Sequence, residues 1–144
     1  MKQLDESVLL DLVGLIYTAA ADPEQWPNFH TAFGRALDSP SVTLLLHDFA
    51  DGSAATEGNN GSLAVVEGIA PEFLASYAAH FSKTNVWLKN EAAIPEGQVL
   101  VSSEVYPDSK LTRTEYHNDW LQPQDLFYSL GTVVAKRDHL SVML

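Results

Sequence analysis

The chain contains no cysteine, which removes disulfides, thiolate nucleophiles and cysteine-rich zinc sites. It is also short of positive charge: 8 Lys and Arg stand against 19 Asp and Glu, a formal net charge of -11. Proteins that grip phosphate backbones cluster Lys and Arg so as to release counterions. Here the only adjacent basic pair, Lys136-Arg137, is followed at once by Asp138 and reads as a hairpin turn. By itself the chain is expected to make no nucleic-acid contact. Long apolar runs are missing too. None approaches the roughly 20 residues that cross a bilayer, so no membrane partner is expected. The N-terminus, Met1 to Glu6, soon turns acidic and has no cleavage pattern after an apolar core. That argues against a secretory leader and for a cytoplasmic location. Catalytic signatures are lacking as well: no Gly-x-Ser-x-Gly, no P-loop and no Gly-x-Gly-x-x-Gly. His30, His47, His80, His117 and His139 include no i, i+4 pair and no His-Glu-x-x-His. No catalytic residue, no metal and no cofactor is expected, and the chain is not read as an enzyme.

What is present is enough for one domain, residues 1–144, with 46% hydrophobic residues. A first helix is predicted over Glu6 to Ala21. Its polar positions, Asp11, Gly14, Thr18 and Asp22, form one narrow stripe, and Leu9, Leu10, Leu12, Val13, Leu15 and Ile16 fill the rest. Such a wide apolar face fits a deeply buried core helix or one that also packs on a second subunit, and periodicity does not separate the two. Asp22-Pro23 supplies an N-cap and a first-turn proline. A second helix follows from about Asn28 to Leu37. Ser41 to Phe49 reads as a strand, with Val42, Leu44 and Leu46 alternating against Thr43, Leu45 and His47. Asp51-Gly52 and Asn59-Asn60-Gly61-Ser62 are turn signals around a weak strand, and Leu63 to Ile69 is another strand.

Pro71 opens a third helix to about Phe81, and Asn85 is a possible cap for a short helix with Val86, Trp87 and Leu88. A strand is predicted at Gln98 to Ser102, and a loop or single helical turn at Asp108 to Leu111. A helix from Thr114 is stopped by Pro123. Leu126 to Ala135 and His139 to Leu144 read as a hairpin. The hairpins imply an antiparallel sheet with helices on one or both faces, an α+β layer. The chain stops inside an apolar strand, from which we expect the front of a longer protein.

Thr114 to Leu126 packs aromatics, an imidazole, an amide and carboxylates into one short helix, a mixture that suits a pocket holding a small molecule. Tyr116 and Trp120 share a helical face, as do Tyr77 and Phe81. With Trp87 these are the candidate ligand-binding residues, against the plain alternative of core packing. Asp119 either joins that pocket or bonds backbone groups of the following loop.

Several blocks together resemble the N-terminal sensor domain of LuxR-type helix-turn-helix transcriptional regulators. They are Leu15 to Ala20 with Asp22-Pro23 and Trp26-Pro27; Leu44 to Asp48; Gly68 to Glu72 followed by Tyr77 to Phe81; Asn85-Val86-Trp87; and Glu115 through Leu126 with Leu130-Gly131. The resemblance implies a GAF/PAS-like fold, an antiparallel sheet flanked by helices around a small-molecule pocket. It implies an unknown effector bound without catalysis, a homodimer, and DNA contact only through a helix-turn-helix domain absent from this chain. A more distant likeness is to acyl-homoserine-lactone-binding domains, through Phe73 and Tyr77 with Asn85-Val86 near the place of an aspartate-proline pair. Asn85 is a weaker acceptor than a carboxylate and the proline is missing, which speaks against lactone recognition. The alternative reading is a ligand-free dimerisation module, which the first helix would support.

Overall fold

The structure, a computed structural model, describes residues 4–55 and 64–144. The turn expected at Asn59 to Ser62 and the strand start at Leu63 lie outside the described residues. Helix α1 spans Glu6–Ala21 and starts where Asp5 Oδ1 accepts from the Ser7 amide at 3.1 Å. Asp22 then accepts from the Glu24 amide at 3.2 Å and opens a 3-10 turn, Pro23–Gln25, as the Asp22-Pro23 pair predicts. Helix α2 covers Trp26–Leu37, beginning two residues before the expected Asn28. It ends at Asp38, whose φ of 56° is left-handed. α1 packs on α2, and α2 packs on the sheet. Of the α1 residues, only Leu12 and Ala19 are buried. The core-helix reading of α1 is therefore set aside: its apolar face points mostly to solvent.

Among the described residues the sheet has six strands, β1 (Val42–Asp48), β2 (Ser53–Ala55), β3 (Ala64–Glu67), β4 (Val99–Val101), β5 (Leu130–Arg137) and β6 (Leu140–Met143). Their order is β2-β1-β6-β5-β4, and every pairing is antiparallel. β2 and β3 share one edge of β1, β2 against Leu46 to Asp48 and β3 against Val42 to Leu45. Side chains alternate across a strand, so β1 has two different faces. Val42 and Leu44 turn toward α2. Leu45 and His47, with Ala54, Ala64 and Val66 beside them, face the helices after β3. Leu44 and Leu45 are both buried, so the sheet is covered on both sides. The strand expected from Leu126 begins only at Leu130. Ahead of it the Leu126 amide still donates to Leu121 O at 3.0 Å, and the Ser129 amide donates to the distant Ser102 Oγ at 3.0 Å.

The second helical layer is broken into short pieces. α3 (Pro71–Ser76) starts at Ala70, which offers no side-chain cap, and runs into a π-helical stretch, Tyr77–Phe81, then α4 (Ser82–Thr84). Asn85 caps a 3-10 turn, Val86–Leu88, by accepting from the Trp87 amide at 3.0 Å. A further 3-10 turn, Glu91–Ala93, precedes β4. Beyond β4, α5 (Ser102–Val105) replaces the predicted strand end, and α6 (Asp108–Leu111) is the single turn considered from sequence. The Thr114 segment is π-helical over Tyr116–Leu121, and Pro123 lies within a last 3-10 turn, Gln122–Gln124, rather than ending the helix. The chain leaves at Asp125, where φ is 56°. A proline at the second position of a new turn loses no hydrogen bond.

Gly68 closes the approach from β3 toward the third helix with φ of 79°, and a Cβ there would lie 2.0 Å from the Pro40 carbonyl oxygen. Gly68→Ala is expected to cost about 2–4 kcal/mol, since backbone strain and a backbone clash act together. Urea unfolding measures it; a loss under about 0.5 kcal/mol, the range of neutral surface changes, would contradict this geometry.

Candidate functional site

Five of the six candidate residues gather on the face of β1 opposite α2. Tyr116 stacks on Trp120 with ring centroids 5.5 Å apart and planes 9° from parallel. Trp120 lies 5.0 Å from the Tyr77 ring, and Trp87 meets Tyr116 edge-on at 5.5 Å. Phe81 packs against the same cluster, which also holds Leu45, Val86, Leu111 and Leu121. Trp120 Nε1 donates to Phe73 O at 2.9 Å, while Trp87 Nε1 is buried without a partner among the described residues. Each such aromatic pair contributes about 0.5–1.5 kcal/mol beyond its burial. Asp119 is exposed, on the outer side of the same stretch, and is not brought to the rings. Two π-helical stretches, Tyr77–Phe81 and Tyr116–Leu121, face each other here. π-turns are rare and concentrate at functional sites.

Beside the rings runs a chain of polar groups that have left water. Asn85 Nδ2 donates to Tyr77 Oη at 3.0 Å, and Tyr77 Oη lies 3.5 Å from His47 Nε2. His47 Nδ1 stands 3.5 Å from Glu91 Oε1, which also accepts from Ser141 Oγ. Lys136 Nζ donates to Glu91 O at 2.8 Å and to Ala92 O at 3.0 Å, fixing the turn that carries the carboxylate. The side chains of Asn85, Tyr77, His47, Glu91 and Ser141 are buried. Burial pushes the Tyr77 phenol well above its ordinary pKa, and the Asn85 bond draws it partly back. Burial raises Tyr116 in the same way. Both phenols stay protonated, so the Tyr77 O–H is free to donate toward His47.

A cavity of about 200 Å³ opens along this chain, lined among others by His47, Ser82, Asn85, Glu91, Lys83 and Lys89. Ser82 Oγ and His47 Nδ1 are buried and lack a partner among the described residues. A second cavity, of about 460 Å³, lies on the α2 side of the sheet. Neither is lined by any of Tyr77, Phe81, Trp87, Tyr116, Trp120 or Asp119. Polar groups therefore line the candidate site, and the rings are packed core beside it. Alternation along β1 already puts His47 on the Leu45 face. Asn85 is legible as a cap. Glu91, Ser82 and Ser141 carry no local signal, because residues distant in sequence bury them.

No protein-family model matches the chain, and no curated protein or solved structure does either.

Tyr77→Phe removes the acceptor of the buried Asn85 amide. The expected loss is about 1–2 kcal/mol, with the denaturant slope unchanged. Tyr128→Phe, at an exposed phenol, should cost less than about 0.5 kcal/mol. Guanidinium unfolding of the two variants checks this; equal effects would contradict the role of the Tyr77 hydroxyl.

Proposed function

We propose that this chain is a regulatory small-molecule-sensing domain of GAF/PAS-like architecture, the cytoplasmic N-terminal half of a LuxR-type transcriptional regulator. It binds its effector without making or breaking a bond. An antiparallel sheet between two helical layers and the ordered set of sensor-like motifs are in keeping with this reading. The observation that carries it is the cavity beside His47 and Asn85, whose wall holds buried polar atoms with unmet hydrogen-bonding capacity. Buried polar groups are paired as a rule, and an orphan needs an explanation. A bound effector supplies one.

The cavity also restricts the effector. At about 200 Å³ it is smaller than the usual drug-sized pocket. The packed rings leave an acyl chain no place. The effector is small and polar, held by Ser82, Asn85 and His47, with Lys83 and Lys89 beside it. It acts by biasing the two π-helical stretches, since a ligand shifts a population only through contacts that differ between states.

Native mass spectrometry of the protein purified from its own host tests this. The expected spectrum shows a small added mass, retained at least tenfold less by Ser82→Ala. Bare protein in both samples would end the sensing reading.

One observation favours assembly as a second reading. Leu9, Leu10 and Tyr17 of α1 are 52%, 63% and 74% exposed, with Val13 and Ile16 beside them. A contiguous apolar helix face of this kind marks an interaction surface. Two copies joined through α1 would make the homodimer, with or without an effector. Sedimentation velocity should then show a dimer that Leu10→Asp converts to a monomer. A wild-type monomer at all concentrations would remove this reading.

A further inference from the structure

The larger cavity, about 460 Å³, lies on the other face of the sheet, between α2, the turn after it and the end of β3. His30 is completely buried in its wall, and neither ring nitrogen has a partner among the described residues. A core histidine that serves only packing satisfies at least one ring nitrogen. Burial lowers the His30 pKa, with Glu67 pulling the other way, so the ring is neutral near pH 7. A neutral imidazole offers one donor and one acceptor, and here both are unused.

The charged groups around it are mixed in sign. Thr31 Oγ1 donates to Glu67 Oε2 at 2.7 Å and holds that carboxylate in place on β3. Asp38 and Arg35 line the same cavity. Among the described residues, Arg35 forms no ion pair within 4.0 Å, although two carboxylates share its cavity. Opposite charges that line one cavity without neutralising each other suit a ligand that carries both signs. An ammonium has two carboxylates to choose from, and a carboxylate has a guanidinium able to take it in two hydrogen bonds.

We propose that this cavity binds a small zwitterion of the α-amino-acid class, its ammonium on Glu67 and Asp38, its carboxylate on Arg35, and a polar side-chain group on the His30 ring. The site is separate from the His47 cavity. It rests on its own residues, so its failure would leave the sensing reading untouched.

NMR titration of the uniformly ¹⁵N-labelled full chain tests the proposal. The probes are the free α-amino acids one at a time, ethylamine as an amine without a carboxylate, and acetate as a carboxylate without an amine. At least one amino acid should shift the His30 ring nitrogens and the amides of Arg35, Asp38 and Glu67 saturably. Ethylamine and acetate should bind at least tenfold more weakly. Arg35→Gln, a change at an exposed residue, should weaken the amino acid at least tenfold while leaving the dispersed amide spectrum intact. Glu67→Gln should do the same, and if it unfolds the protein, Arg35→Gln decides alone. The proposal fails if no amino acid moves the His30 ring, if the ring contacts water only, if ethylamine alone binds as well, or if Arg35→Gln changes nothing.

Discussion

The buried bond from Asn85 to Tyr77, whose hydroxyl meets His47 on the central strand, ties the second helical layer to the sheet. Tyr77, Asn85 and Glu91 belong to one stretch of the helical layer, His47 to β1 and Ser141 to β6, and all five side chains are buried. Apolar packing alone would let the short helical pieces between Pro71 and Gln124 slide. A buried polar group left without its partner costs about 1–3 kcal/mol, so sliding is opposed at each link. The same links leave His47 Nδ1 and Ser82 Oγ beside a cavity. Fixing the fold and preparing the site are thus one arrangement.

Much of the framework is legible in the sequence where the signal is local. α1 has the ends that its apolar stripe and Asp22-Pro23 predict. β1 is found within a residue of its alternation pattern, Asn85 caps the turn it precedes, and the final hairpin bends at Arg137-Asp138, with Asp138 at φ of 53°. An antiparallel sheet covered by helices follows from the order of the elements. What escapes is whatever distant partners decide. Tyr77–Phe81 and Tyr116–Leu121 carry ordinary helical spacing, and nothing in it distinguishes their π-helical form. β4 falls inside the strand expected at Gln98 to Ser102, while α5, which starts at Ser102, carries no signal of its own, and Ser102 Oγ accepts from the Ser129 amide of another segment.

The site was half visible for the same reason. Tyr77, Trp87, Tyr116 and Trp120 do converge, as helical spacing and shared faces suggest. Their rings lie at contact distances, and the open space lies next to them, where His47, Ser82, Asn85 and Glu91 meet. Aromatic spacing marks a core and a pocket wall equally well. Only three-dimensional neighbours say which, and here they place the polar groups nearest the space.

The sheet separates two chemistries. On one side rings pack beside a small polar cavity; on the other an unpartnered histidine sits among charges of both signs. β1 contributes to both through opposite faces, Val42 to one cavity and His47 to the other.

The most direct test of the central claim is a high-resolution crystal structure of the protein purified from its own host. The account predicts non-water electron density in the cavity beside His47, within hydrogen-bond distance of Ser82 Oγ and Asn85. A cavity holding ordered water alone, or one closed by movement of Ser82 and Glu91, would contradict it.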